Sequence, residues 1–323
     1  MRKLHYLFVP VFSVAVILSS KALALQPIEF NQDELVIQAV QGQIAPPAIR
    51  ESIYRVHADG EVVLLPGTGS ITYNFRTGDS AVHMAGNHVE PAVSLYSLGR
   101  DGSRTGNDNR ALNALSMIGN EVRILNGAAA GTSGWVVGKH GGVEHVMVDF
   151  DPGIYDALAI GDLKQIRTVG AGMRLTNIDG VRVFNSSPML IEALNDNGAG
   201  ITEDGKLRIG VTHRIPAKIM GSGLGRDHVF TGDYDIQMFD EEVNERYNLN
   251  SLRFGDIVAI MDADHSYGRI WLGGAVSIGI ISHGRSDSAG HGPGVTTLFT
   301  SRDGHIEPVI DADANLKNLL GIP

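Results

Sequence analysis

The chain has 323 residues, with 36 acidic against 26 basic side chains and a formal net charge of −10. This balance argues against nucleic acid and anionic membrane surfaces as partners, because both repel an acidic protein. The absence of cysteine excludes disulfides, thiolate metal sites and a cysteine nucleophile. Forty glycines and many Val/Ile pairs separated by turns predict a mainly β protein with a few short helices.

Residues 1–24 have the features of a secretory signal peptide. Arg2 and Lys3 precede an apolar run from Leu7 to Leu18, and the small-residue sequence Ala22-Leu23-Ala24 offers a cleavage site after about Ala24. The alternative is an uncleaved membrane anchor, but the run is short for a bilayer span. Cleavage would leave 23 basic and 36 acidic residues. We therefore expect a periplasmic or secreted protein that has no membrane contact after signal removal.

Residues 25–118 are expected to form a β-rich subdomain with one helix, near Asn107–Ile118, where apolar residues follow helical spacing. Before this helix, His83, His88 and Glu90 form an H-x4-H-x-E spacing that could supply metal ligands from a loop. The alternative is a turn in which Asn87 and His88 cap nearby backbone groups.

Residues 119–180 have the pattern of a small barrel, in which strands are separated by glycine turns at Gly127 and Gly131. His140 lies in a glycine-flanked loop and is a candidate binding residue, although a single loop histidine is often incidental. On the next strand, His145 and Asp149 share a face with Asp151. They form either a ligand set or the solvent-facing side of an edge strand.

Residues 181–323 are expected to form a C-terminal β-rich subdomain. Its Gly221–Gly225 segment lacks a Walker lysine, so we interpret it as a tight loop, including Ser222, whose backbone N–H groups could hold an anion or carbonyl oxygen. Asp233 and Asp235 share strand parity and could ligate a cation, although a turn cap fits equally well.

The strand GAVSIGIIS is bracketed by acidic and imidazole side chains, and we expect these to converge on one cleft. Exposed turn residues are the alternative. The predicted catalytic residues are Asp262, Asp264, His265, His283 and His291, of which the last four are the predicted metal ligands. On this hypothesis, Asp264→Asn and His265→Ala should abolish metal uptake or turnover and leave thermal stability nearly intact.

The motifs GNHVEPAVS, GKHGGVEHVMVDF, MGSGLG with GDYDIQ, and DADHSYGR with GAVSIG and AGHGPGVTTL together resemble the domain-of-unknown-function family 4438 over the whole mature chain. The resemblance implies small barrel subdomains packed together and implies no activity. Residues 119–150 also resemble a KOW-type, SH3-like barrel. Such modules often bind RNA, but Lys139 is nearly the only basic residue of this stretch.

These residues predict an exported, metal-assisted enzyme that acts on a small molecule. Imidazole and carboxylate groups without thiolates suit a divalent ion such as Zn, Mn or Fe, or Ca/Mg where oxygen ligands dominate. Hydrolysis of an amide, ester or lactone fits these groups, and so does elimination or isomerisation by an Asp/His acid–base pair without metal. The alternative is a non-catalytic small-ligand-binding or assembly module. A homo-oligomer is compatible with both.

Overall fold

The computed structural model describes residues 25–49, 53–99, 102 and 106–323. The predicted signal peptide, residues 1–24, lies outside this range. The described chain is mainly β with short helices and several packed sheets, which confirms the predicted fold class. Within the described ranges, no helix is both long and apolar enough to cross a membrane.

The strands and helices of the described chain have the following bounds. The strands are β1 (Gln38–Ile44), β2 (Arg55–Val56), β3 (Val62–Val63), β4 (Val93–Tyr96), β5 (Glu121–Ile124), β6 (Ser133–His140), β7 (His145–Asp149), β8 (Leu163–Thr168), β9 (Arg182–Val183), β10 (Gly200–Ile201), β11 (Leu207–Val211), β12 (His213–Pro216), β13 (Tyr234–Asp235), β14 (Ile257–Asp264), β15 (Ile270–His283), β16 (Gly294–Ser301) and β17 (Ile306–Ile310). The helices are α1 (Asn107–Leu115), α2 (Pro188–Asp196), α3 (Glu241–Arg246) and α4 (Leu316–Leu320).

Six strands close into a barrel in the order β1-β4-β7-β6-β5-β8. Residues 119–180 supply four of them, β5 to β8, and β1 and β4 from the preceding region complete the closure. Alternating side chains such as Val122, Val136, Val148 and Ile166 fill the interior and are fully buried. The barrel is therefore built across the boundary expected near residue 118.

Strand β7 is a central strand, so the edge-strand interpretation of His145–Phe150 is wrong. It pairs with β4 on one side and β6 on the other, and every one of its residues is buried. Asp149 accepts hydrogen bonds from Arg76 Nη2 at 2.6 Å and Tyr155 Oη at 2.8 Å. Asp149 therefore neutralises a partly buried arginine, and it does not share a ligand set with His145.

The second large sheet has the order β12-β14-β15-β16-β13, with β9 added beside β16. β14 and β15 form an antiparallel hairpin in which Asp264 pairs with Ile270 and Ile257 pairs with Ile280. A three-stranded sheet, β10-β11-β17, lies beside it in the chain's C-terminal half. The hairpin register places Asp264 at one end of the sheet and His283 at the other.

Strand β6 joins the barrel to the second sheet. Lys139 N–H donates to Thr296 Oγ1 at 3.3 Å, and the same hydroxyl donates back to Lys139 C=O at 3.1 Å. A Cβ at Gly138 would lie 3.0 Å from Ser282 Cβ, so glycine permits this close approach. The docking brings His140, at the end of β6, next to His283, at the end of β15.

Lys139 is expected to make stability rise with pH. Its Nζ is buried and donates to Asn185 Oδ1 at 2.7 Å and Phe230 C=O at 2.9 Å, and burial lowers its pKa to about 7 from 10.5. Between pH 7 and 10.5, the unfolded chain binds more protons than the folded chain. The penalty that Lys139 places on the free energy of unfolding is therefore full below pH 7 and disappears as the pH approaches 10.5. Between pH 7 and 9, Lys139→Met should flatten this rise by about 2 kcal/mol, measured by urea unfolding. Parallel pH slopes for both proteins would contradict the expectation.

Candidate functional site

A polar cavity of about 380 Å³ lies where the barrel meets the second sheet. Side chains from both halves of the chain converge on it. We call them the His–Asp cluster: His88, His140, Asp233, Asp235, His283 and His291. All six were candidates on sequence grounds, but as four separate groups.

Local backbone structure places the two aspartates of the cluster. Asp233 and Asp235 flank Tyr234, and because alternate strand residues share a face, both carboxylates point to the cluster while Tyr234 points away. Backbone N–H groups fix them, since Gly141 N–H donates to Asp233 Oδ1 at 2.7 Å and Gly292 N–H donates to Asp235 Oδ2 at 3.2 Å.

Backbone hydrogen bonds also bring His88 to the end of β15. His88 N–H donates to Arg285 C=O at 3.0 Å, and Gly284 N–H donates to Val89 C=O at 2.8 Å. His88 itself adopts a left-handed backbone conformation with φ 55°. Its ring lies 5.1 Å from those of both His283 and His291, measured between centroids. A turn some two hundred residues away in sequence is thus tied to the second sheet.

The closest contact in the cluster joins a carboxylate oxygen to an imidazole nitrogen. Asp233 Oδ2 lies 2.6 Å from His283 Nε2, and Asp235 Oδ1 lies 3.6 Å from the same nitrogen. Asp233 Oδ2 and His283 Nε2 are both buried, and neither has a partner in hydrogen-bonding geometry. Two buried polar atoms at this distance share a positive charge, which either a second proton on His283 or a bound cation supplies.

The four histidines of the cluster share one hydrogen-bonding arrangement. In each, Nδ1 faces an oxygen that can only accept, so Nδ1 carries a proton and Nε2 is the atom left for a metal ion or, in His283 beside Asp233, for a second proton. The acceptors are Asn87 Oδ1 for His88 (3.0 Å), Glu90 Oε1 for His140 (2.5 Å), Gly284 C=O for His283 (2.9 Å) and Ala289 C=O for His291 (3.0 Å). A histidine that donates through Nδ1 in this way presents Nε2 as its metal-binding atom.

Glu90 supports the cluster from behind and is fully buried. It accepts hydrogen bonds from Gly69 N–H at 2.7 Å, from the Ser94 hydroxyl, and from Nδ1 of His140 and His145. Burial alone would raise the pKa of Glu90, but these two imidazoles hold it well below its ordinary value. Glu90 is therefore an anion that orients His140, as carboxylates orient metal-bound histidines.

Asp233 and His283 form a buried ion pair in the cluster. Burial opposes ionisation of both groups, yet Asp233 raises the pKa of His283 well above its ordinary value and His283 lowers that of Asp233. The pKa of His88 is strongly lowered, first by burial and then by the neighbouring rings of His283, His140 and His291. The His88 imidazole is therefore neutral, and its Nε2 can serve as a metal ligand beside two carboxylates.

Asp262, Asp264 and His265 do not join this cluster, contrary to the sequence-based expectation. Antiparallel pairing puts them at the opposite end of the hairpin from His283, and the eight residues of β14 alone span about 23 Å. Asp262 Oδ1 accepts from Gly274 N–H at 2.8 Å, and Asp264 accepts from Ser266 N–H at 2.9 Å. These carboxylates hold turns.

The Gly221–Gly225 loop does not present the free N–H groups that we expected. The N–H groups of Gly221, Ser222, Leu224 and Gly225 donate to the carbonyls of Asp235, Gly290, Gly221 and Arg269. Ser222 does line the cavity, but its backbone fastens the loop to β13 and to the His291 loop. The Gly221–Gly225 loop is therefore architectural.

His83, a candidate binding residue on sequence grounds, is exposed and does not line the cavity.

Gly294 has a role at the site that sequence reasoning missed. It pairs with His283 in the β15–β16 ladder, and a Cβ there would collide with Asp233 Oδ2 and His283 Nε2. Its only sequence signal is the glycine-rich GHGPG segment, which does not distinguish this position from its neighbours. Arg55 and Arg226 also line the cavity and were not among the candidates.

His265→Ala is expected to cost stability and leave metal content unchanged, the reverse of the sequence-based expectation. His265 Nδ1 lies 2.9 Å from Thr297 Oγ1 and Nε2 lies 3.1 Å from the Tyr234 hydroxyl. Burial, with Arg269 nearby, lowers its pKa to about 3, so the ring is neutral. Removing it leaves buried hydroxyls unpaired at a cost of about 1–3 kcal/mol each, which urea unfolding measures. Loss of bound metal in a folded variant would contradict this assignment.

Fold and site together define a mainly β protein with a closed six-stranded barrel and a His–Asp cluster shared between two sequence halves. Residues 54–192 match the N-terminal domain model, and residues 198–320 the C-terminal domain model, of the domain of unknown function DUF4438. The chain belongs to the DUF4438 family. A solved structure titled "Crystal structure of TM1086" is 41% identical with a TM-score of 0.83, covering 90% of this chain and 99% of that one. Comparison with curated proteins gave no match.

Proposed function

We propose that the His–Asp cluster binds a divalent metal ion and that the protein is a metal-dependent enzyme acting on a small molecule. Asp233, Asp235 and His283 would hold the ion, and His140 would complete the set. The observation that carries the proposal is the convergence of Asp233 Oδ2 and His283 Nε2, which lie buried 2.6 Å apart, with Asp235 Oδ1 3.6 Å from the same nitrogen.

The donor set narrows the choice of ion. Two carboxylates with imidazoles and no thiolate suit Zn, Mn or Fe better than Ca or Mg, which prefer all-oxygen shells. Ligand atoms with metal bonds of about 2.0–2.2 Å lie at least about 3 Å apart. The Asp233–His283 pair would therefore widen slightly on metal binding, and the negative charge of both aspartates would be neutralised.

Hydrolysis of an amide, ester or lactone is the reaction that we propose. A bound divalent ion supplies an activated water with a pKa of about 7 and polarises a substrate carbonyl. Asp233 and Asp235 carry the negative charge that keeps the ion in place, while Glu90 holds His140 in the ligating tautomer. Arg55 and Arg226 line the same cavity, so a substrate with an acidic group fits its charge.

A metal-free acid–base enzyme is the second candidate, because the raised pKa of His283 beside Asp233 is also the property of a proton-transfer pair. Asp233 and His283 would then exchange a proton with the substrate, as in a lyase or isomerase. This candidate predicts turnover that survives chelators. A non-catalytic binding module predicts ligand binding without turnover.

Elemental analysis of protein purified without chelator tests the metal proposal. We expect at least one equivalent of Zn, Mn or Fe per chain, retained by Asp264→Asn as a matched control because Asp264 lies at the far end of the hairpin. No bound ion, together with no binding of added Zn²⁺ or Mn²⁺ by calorimetry, would reject the proposal and favour the acid–base pair.

We also propose export, on the pattern of residues 1–24. Expression in a Gram-negative host should yield a mature chain that begins at about residue 25, determined by intact mass of the periplasmic fraction. An unprocessed chain that is found only in the cytoplasm would contradict this.

A further inference from the structure

We propose that the His–Asp cluster holds two divalent ions with Asp235 as the bridging carboxylate, an inference that rests on the proposed metal-dependent function. The two oxygens of Asp235 face different imidazoles. Oδ1 lies 3.6 Å from His283 Nε2, and Oδ2 lies 3.8 Å from His88 Nε2. A carboxylate placed between two nitrogen donors in this way is arranged to bridge.

Each side of Asp235 carries its own complete group of donors. One group consists of Asp233, Asp235 and His283, and the other consists of His88, Asp235 and His291. Within each group, every residue offers one ligand atom, and these three atoms lie within 4.8 Å of one another. Donor atoms around a single ion with bonds of about 2.0–2.2 Å lie up to about 4.4 Å apart, so only small movements are needed. Asp235 is the member common to both groups.

The two histidines of the second group are held by hydrogen bonds of their own. The rings of His88 and His291 meet edge to face at 5.1 Å and 76°, and the oxygens of Asn87 and Ala289 hold both Nδ1 atoms. His88 also keeps a left-handed conformation, which costs free energy for a residue other than glycine and often marks functional positions. The chain therefore accepts a cost in backbone free energy at the residue that carries this ring.

A bridged pair changes what the site can do. Carboxylate-bridged ions lie about 3.5–4 Å apart and can stabilise the attacking and the departing oxygen of one substrate together. His140, whose ring centroid lies 4.1 Å from that of His283, belongs to the first ion. His291 lies in the loop that follows β15 and belongs to the second. The second ion should therefore be the more easily removed, because the side chains of His88 and His291 are less buried than those of Asp233 and His283.

Metal counting in variants tests this inference. Metal-free full-length protein is loaded with Mn²⁺, and ions per chain are counted by elemental analysis after gel filtration. We expect two ions in the wild type and in Asp264→Asn, and one in His291→Ala. One ion in the wild type, or two in His291→Ala, would overturn the bridged pair. No ion in the wild type would reject the proposed metal-dependent function as well.

Electron paramagnetic resonance of the Mn²⁺-loaded protein provides a second readout. Two ions bridged by Asp235 should give the spectrum of an exchange-coupled pair, and His291→Ala should give the six-line spectrum of an isolated ion. Uncoupled Mn²⁺ in a wild type that binds two ions would place the ions at separate sites and overturn the bridging role.

Discussion

Asp233→Asn is expected to abolish stoichiometric metal binding, with a loss of affinity of at least about 100-fold. Loss of an outer partner of a ligand costs about 10–100-fold in metal affinity, and Asp233 is assigned as a ligand itself. Asparagine keeps the size and still accepts Gly141 N–H through its oxygen, but it removes a buried negative charge next to His283. Calorimetric titration of metal-free protein with Zn²⁺ measures the change, and Asp264→Asn serves as the control.

The same substitution should change the pH dependence of the metal-free protein. In the wild type the raised pKa of His283 contributes stability that is full below about 6.5 and is lost as the pH rises through the folded-state value. The lowered pKa of Asp233 contributes stability above 3.8 that is lost as the pH falls. Asp233→Asn should remove the contribution of Asp233 and reduce that of His283, which Asp235 also supports, and urea unfolding from pH 2 to 8 should show both changes. Unchanged profiles together with unchanged Zn²⁺ affinity would contradict the assignment of this pair.

Glu90→Gln is expected to impair both folding and metal binding. Glu90 accepts four donors, from Gly69, Ser94, His140 and His145, whereas a glutamine amide has one acceptor oxygen and brings two further N–H donors. At least one buried donor then lacks an acceptor, at about 1–3 kcal/mol. His140 also loses its anionic partner, so Zn²⁺ affinity should fall about 10–100-fold.

Two measurements separate these effects of Glu90. Urea unfolding without metal reports the hydrogen-bond loss, and Zn²⁺ titration of the folded variant reports the effect on His140. Glu192→Gln, on the exposed side of α2, removes a carboxylate of the same kind and should change neither. A Glu90→Gln protein with wild-type Zn²⁺ affinity would show that His140 is not a ligand.

The β class, the barrel turns and the family could all be predicted from sequence, because strand alternation and glycine turns are local properties of the chain. Local pattern also identified part of the site. Asp233 and Asp235 share a face because they are two residues apart on a strand, and His88 and Glu90 are close in sequence. Each of these residues does line or support the cluster.

Bringing those groups together depended on tertiary structure. Sequence proximity to the GAVSIGIIS strand suggested that Asp264 and His265 meet His283, but the two ends of an extended strand cannot converge. The partners of His283 instead come from β6, from β13 and from the turn before β4. Which strand ends meet is decided by β-sheet register and by the docking of the barrel on the second sheet. Both depend on contacts between residues far apart in sequence, which no local pattern encodes.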